Sequence, residues 1–171
     1  RAALRHRMIA APRKLHRGDL REGFRSGADD LDEWLVKYAW QNQLGNTATT
    51  YVITHEGRVV GYYAIAMAAV EQLAAPASLR KGTPRQIPCI LLARLAVDQD
   101  YRGRGLGVQL LRDALLRSAQ LSGSIGAAAV LVHCRDAAAR EFYLHNGDFL
   151  ASPVEEFHLM VPMKAILKYL D

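Results

Sequence analysis

The chain of 171 residues carries 22 Lys and Arg against 17 Asp and Glu, a formal net charge of +5, and half of its residues are hydrophobic. That balance excludes a disordered chain, and two cysteines exclude a disulfide-stapled miniprotein. No apolar run reaches the ~18 residues that a membrane-spanning helix requires, so no membrane partner is expected.

The length suits one compact domain of ~100–200 residues, expected over residues 8–171. Three of the positive charges are arginines within residues 1–7 (RAALRHR), ahead of Met8. That stretch lacks the continuous apolar core of a signal peptide and is read as a leader or an expression remnant. The remaining charge is mildly basic and does not by itself decide for or against a nucleic-acid partner. Cys89 and Cys134 both lie in apolar runs (CILL, VLVHC). They are expected as buried free thiols in a reducing, cytoplasmic setting.

Residues 29–43 (DDLDEWLVKYAWQNQ) predict one amphipathic helix. Asp29 or Asp30 caps it, acids complement its dipole, and Leu31, Trp34, Leu35, Tyr38 and Ala39 recur at helical spacing. Two β-rich runs follow, 48–54 (ATTYVIT) and 58–66 (RVVGYYAIA), joined by His55-Glu56-Gly57, which predicts an antiparallel hairpin. Residues 71–88 hold Pro76, Pro84 and Pro88 and read as a long loop with one helical turn over 77–80. Residues 89–97 (CILLARLAV) form a continuous apolar run, expected as a central strand covered on both faces. After a glycine-rich link, residues 106–121 carry an apolar stripe of Leu110, Leu111, Ala114, Leu115, Ser118 and Leu121, with Gly123 and Gly126 as stops. Residues 127–134 (AAAVLVHC) predict a second buried strand, and Asp136 caps a short helix to about Tyr143. Weaker β patterns at 149–151 and 156–161 complete an α/β order with a mixed sheet.

The link itself, YRGRGLG over residues 101–107, is short, bare and basic. It lacks the Gly-Lys-Ser/Thr of a P-loop. It also fails G-x-G-x-x-G, because Leu110 or Val108 stands where the third glycine belongs. It does satisfy R-x-x-G-x-G through Arg102, Gly105 and Gly107. Glycines there let the backbone approach a ligand, amides converge at a helix N-terminus, and Arg102 and Arg104 can bond phosphate oxygens. The pattern therefore suits a pyrophosphate, or else a tight strand-to-helix turn.

The segment LARLAVDQDYRGRGLGVQLL resembles the acetyl-CoA-binding motif of the GCN5-related N-acetyltransferases (GNAT), and the resemblance extends over residues 24–164. It implies the GNAT fold, a mixed central β-sheet flanked by helices in a single domain, and acetyl-CoA as co-substrate with no metal. It further implies that Leu95, Ala96 and Val97 line the pantetheine arm through their backbone. Arg102, Gly103, Arg104, Gly105, Leu106 and Gly107 would hold the pyrophosphate. The next strand would part from residues 89–97 to admit the cofactor.

Acetyl transfer to an amine requires protonation of the departing thiolate, a task that suits a phenol protonated at neutral pH. The segment DAAAREFYLHNGDF resembles the family's A-x-x-F-Y-x-x-x-G-F, which implies Tyr143 as general acid. Here Asp148 intervenes between Gly147 and Phe149, and the register of the following strand is open. His133, His145 and His158 stand as ambiguous alternatives. No serine or cysteine has a nucleophile setting, which favours direct attack in a ternary complex.

FRSGADDLDEWL, GYYAIA and IPCILLARLAV together resemble the toxin branch of the acetyltransferases, from type II toxin–antitoxin pairs. That resemblance implies acetylation of the α-amine of aminoacyl-tRNA and a block of translation. It also implies a homodimer, a ribbon-helix-helix antitoxin, and contact with operator DNA only through the antitoxin complex. Arg94, Lys37, Arg80, Lys81 and Arg85 are the candidate tRNA contacts. Each also has a plain reading as a solvated or ion-paired surface charge. Two rivals stand beside this: an acetyltransferase of a small amine or a protein N-terminus, and a non-catalytic CoA-binding module.

Overall fold

In the computed structural model, which describes residues 9–169, the first paired segment is a two-residue strand, β1 (Arg13–Lys14). Residues 1–7, read above as a leader, lie outside the described residues. The expected single helix over 29–43 is two helices, α1 (Asp29–Lys37) and α2 (Ala39–Leu44). The break at Tyr38 (φ −120°, ψ −26°) has a cause. One Arg21 nitrogen donates to the carbonyls of Leu35 and Val36, both at 3.3 Å, occupying acceptors that later helical amides would have used.

The hairpin forms from β2 (Thr49–His55) and β3 (Arg58–Glu71), antiparallel, with His55 opposite Arg58. Its link has two residues, not three. Glu56 (φ 52°) and Gly57 (φ 79°) are both left-handed, the conformation that matches a tight turn to strand twist. A short 3₁₀ turn (Gln72–Ala74) and the expected helical turn α3 (Ala77–Arg80) precede β4 (Gln86–Val97). Helix α4 (Leu106–Ile125) runs through Gly123 and stops only at Gly126, whose φ is 69°. The remaining elements are β5 (Ala129–His133), α5 (Ala137–Asn146), β6 (Leu150–Ala151), β7 (His158–Pro162) and α6 (Met163–Leu167). Asp136 caps α5 as its position predicts, its carboxylate accepting from the Ala139 amide at 2.8 Å. Such a cap contributes ~1 kcal/mol.

Hydrogen bonding orders the strands β1-β2-β3-β4-β5-β7-β6 in a mixed sheet, with β4 and β5 parallel. Two compact units are built on these elements: residues up to Ile65 with Arg94–Asp113, and Ala66–Ala93 with Ala114 onward. In the first, Tyr62 of β3 stacks on Trp34 (6.1 Å, 13°), meets Phe24 edge-on (5.6 Å), and donates its hydroxyl to the Leu31 carbonyl at 2.6 Å. Tyr63 stacks on Tyr51 and donates to Asp113 at 2.5 Å. Gly61 lets α4 close on the strand: a Cβ there would sit 3.1 Å from a Leu110 methyl. The core of the second unit joins Val70, Ala75, Leu79, Ile87, Cys89, Ala129, Leu131 and Met160.

Candidate active site

The strand-to-helix link is shaped by its glycines. Gly103 and Gly105 both have φ +75°, a region that side chains disfavour, and a Cβ at either would meet nothing within 4 Å. The glycines are therefore required by the backbone's conformation, not by crowding, and the space above them is open to a ligand. Helix α4 begins at Leu106, and the amide of Gln109 bonds the Gly105 carbonyl at 3.1 Å. The amides of Leu106, Gly107 and Val108 thus precede the helix's own ladder and are available as donors at its positive end. This cradle fits the diphosphate of acetyl-CoA.

The loop's two arginines do something else. Arg102 donates from Nη2 to the Ser26 carbonyl. The Arg104 guanidinium lies 4.7 Å from the centre of the Tyr101 ring, whose hydroxyl is 2.8 Å from His55 Nδ1. Sequence reasoning aimed both side chains at phosphate; both are exposed, and in this structure each also contacts the protein beside the loop. Asp98, missed in the sequence, opens the loop. It is 2% exposed, and its carboxylate accepts from the amides of Arg25 (3.1 Å) and Asp100 (3.0 Å).

On β4, the parallel ladder to β5 runs from Cys89↔Ala129 to Leu92↔Val132 and ends there, although β4 continues to Val97. The backbone edge of residues 93–97 is consequently unpaired by β5, the parting that the family resemblance implies. Leu95 and Val97 are half-buried and Ala96 is buried. Arg94, half-buried, places its guanidinium 4.2 Å over the Trp34 ring, a contact worth about 0.5–1 kcal/mol. It has no ion pair or hydrogen bond among the described residues, so its donors are uncommitted.

Tyr143 sits on α5, 7% exposed, with the rings of Phe142 (5.3 Å) and Phe149 (5.6 Å) set edge-on against it. Its hydroxyl has no hydrogen-bond partner among the described residues. Burial, reinforced by the nearby Cys134 thiol, pushes its pKa far above the ordinary phenol value. The group is therefore held protonated with its proton uncommitted, the state a general acid needs. The inserted Asp148 does not displace this packing. Phe149 remains seated against Tyr143, and a Cβ at Gly147 would lie 2.7 Å from its ring. Asp148 points elsewhere and accepts from the Tyr169 hydroxyl at 2.8 Å.

The five basic candidates separate by their partners. Lys37 is paired with Glu33 at 3.0 Å one helical turn away. Arg80 donates to the carbonyls of Ala75 (2.8 Å) and Leu73 (3.4 Å), so it holds its own loop. Lys81 and Arg85 are exposed and have no partner among the described residues. His133 is stacked on His158 with ring centres 4.0 Å apart, and desolvation together with that neighbour lowers its pKa. Both cysteines are free and buried as expected, and burial raises the Cys89 thiol to about 11, an inert state.

A glycine-shaped strand-to-helix link with free amides at a helix N-terminus suits an acyl-CoA-using enzyme. The acetyltransferase (GNAT) domain model matches residues 46–147, and the chain belongs to that family. It is an acetyl-CoA-dependent N-acetyltransferase. Among its relatives, the tRNA-acetylating toxin of Mycobacterium tuberculosis (strain ATCC 25618 / H37Rv) is 44% identical over 155 residues, 91% of this chain and 93% of that one. A solved structure of AtaT complexed with acetyl-methionyl-tRNAfMet superimposes with a TM-score of 0.86 at 24% identity, covering 94% of this chain and 99% of the other. AtaTR bound with AcCoA gives 0.81 at 24% identity, covering 96% and 99%. The two structural likenesses establish the fold.

Proposed function

We propose that this acetyltransferase is the toxin of a toxin–antitoxin pair and transfers acetyl from acetyl-CoA to the α-amine of aminoacyl-tRNA, which blocks translation. The single observation that carries the choice of acceptor is the 44% identity, across nearly the whole chain, to a protein named as a tRNA-acetylating toxin.

When bound, acetyl-CoA supplies an acetyl group activated as a thioester. The loop backbone of residues 102–107 and the free amides at the start of α4 hold the diphosphate, where converging N–H groups and the α4 dipole favour negative charge. The free backbone edge at Leu95, Ala96 and Val97 aligns the pantetheine amides, and alignment of both substrates supplies much of the rate. Tyr143 donates its Oη proton to the departing sulfur. Its hydroxyl makes no competing bond among the described residues, so that proton is available. Lys81 and Arg85, with the uncommitted donors of Arg94, supply phosphate contacts for the tRNA; Lys37 and Arg80 act through their own neighbours. The antitoxin is of the ribbon-helix-helix type, operator DNA is met only through the complex with it, and the enzyme works as a homodimer of single GNAT domains spanning residues 8–171.

The test is transfer of label from acetyl-CoA to charged tRNA. Wild-type protein is expected to label the aminoacyl end and to arrest growth when induced. Tyr143→Phe is expected to slow transfer by about a hundredfold or more while acetyl-CoA still binds. Label found on polyamines or on protein but never on the aminoacyl end refutes the acceptor.

A further inference from the structure

The segment FRSG, residues 24–27, resembles a feature of the toxin branch yet contributes nothing to the chemistry above. The geometry gives it a task. The Arg25 amide donates to one Asp98 carboxylate oxygen at 3.1 Å, and the Gln99 amide donates back to the Arg25 carbonyl at 2.7 Å. The Ser26 carbonyl accepts from the Arg102 guanidinium. Gly27, at φ +97°, leaves the room this requires, since a Cβ there would sit 2.9 Å from Arg102 Nη2 and 3.1 Å from Gln99 Nε2. Two consecutive residues are thus bonded to the start of the glycine loop, and the third makes room for it.

The segment is itself fixed from the other side. Both Asp32 carboxylate oxygens lie 3.1 Å from the Ser26 amide, and one accepts from the Ser26 hydroxyl at 2.5 Å. That hydroxyl also accepts from the Ala28 amide at 3.2 Å. The acids at the start of α1 are therefore more than dipole complement: one of them is a structural acceptor.

We propose that residues 25–27, anchored by Asp32, form a clasp that sets the backbone of the cofactor loop, making Asp32, Ser26, Asp98 and Arg102 positioning residues for acetyl-CoA binding. The proposal rests on the reading that the loop holds the diphosphate. An anion cradle built of backbone amides works only if those amides are held in place before the ligand arrives, because ordering a loop on binding weakens affinity. Arg102 then acts by holding Ser26 and not by its charge on phosphate.

The sign of one substitution separates this from simple electrostatics. Asp32 is negative, so its removal favours an anionic ligand if charge alone decides; the clasp predicts the reverse. Kinetics with acetyl-CoA and with acetylpantetheine, which lacks the diphosphate, read the difference. Asp32→Ala is expected to raise KM for acetyl-CoA about tenfold with kcat within about twofold, and to leave KM for acetylpantetheine unchanged. Ser26→Ala, which keeps the amide bonds to Asp32 and removes only the hydroxyl, is expected to raise KM for acetyl-CoA about threefold and serves where Asp32→Ala folds poorly. An unchanged or lower KM for acetyl-CoA in both variants overturns the clasp, as does an equal loss with both acyl donors. If wild-type protein itself binds acetyl-CoA no better than acetylpantetheine, the diphosphate reading fails first and the clasp with it.

Discussion

Residues 98–107 and residues 80–86 are both short links that combine cations with glycine in the left-handed region: Gly103, Gly105 and Gly82 all have φ +75°. They use these components in opposite ways. In the first, the exposed Arg102 and Arg104 contact Ser26 and Tyr101, and the backbone amides at the start of α4 stand open beside them. In the second, the Gln72 amide nitrogen donates to the carbonyls of Arg80 (3.2 Å) and Thr83 (3.1 Å), Arg80 donates to Ala75 and Leu73, and the side chains of Lys81 and Arg85 are what remains. A run of arginines and glycines therefore does not say whether charge or backbone is offered; the hydrogen-bond partners decide.

Matched substitutions test that contrast most severely. Gly105→Val and Gly82→Val impose a β-branched residue on the same φ, at positions where neither meets a neighbour within 4 Å. Each is expected to cost about 1–3 kcal/mol of stability. Only Gly105→Val is expected to weaken acetyl-CoA binding, by about thirtyfold or more in calorimetry; equal losses at both positions would erase the distinction. Next in size, the double variant Lys81→Ala, Arg85→Ala is expected to weaken tRNA binding about tenfold. It should reduce the slope of log affinity against log salt by about 1–2, with acetyl-CoA binding unaltered. A salt slope that stays put removes this loop from the RNA surface. The smallest effect is expected from Arg80→Ala, which loses carbonyl contacts more than ligand contacts. Thermal unfolding should fall by about 2–4 °C, with less change in salt slope than the double variant shows.

Features set by near neighbours in sequence were legible without a structure. The Glu56-Gly57 hairpin, the turn at Ala77–Arg80, the Asp136 cap and the glycine link all follow from local conformational preference. What escaped was decided from a distance. The break at Tyr38 depends on Arg21, fourteen residues earlier at its nearest acceptor, which no helical periodicity contains. Strand β4 begins at Gln86 and not at Cys89, and the Pro88 carbonyl accepts from the Ala128 amide at 2.9 Å. Gly123 was read as a stop because glycine favours ends, but only Gly126 takes the left-handed conformation that ends α4. Tyr143 was singled out from its segment, whereas the absence of a partner for its hydroxyl among the described residues was not legible there. The engagement of Arg102 with Ser26 spans 76 residues and leaves no mark in the local pattern.

Gln72 carries a consequence of its own. Its side-chain nitrogen serves three oxygens at once, the carbonyls of Arg80 and Thr83 and the Thr83 hydroxyl, while its backbone amide takes a fourth, the Arg85 carbonyl at 2.9 Å. Spontaneous hydrolysis of that one amide to glutamate would swap a donor for a carboxylate facing two carbonyl oxygens, and like partial charges would push the turn open. The shape of this basic link thus hangs on one uncharged side chain.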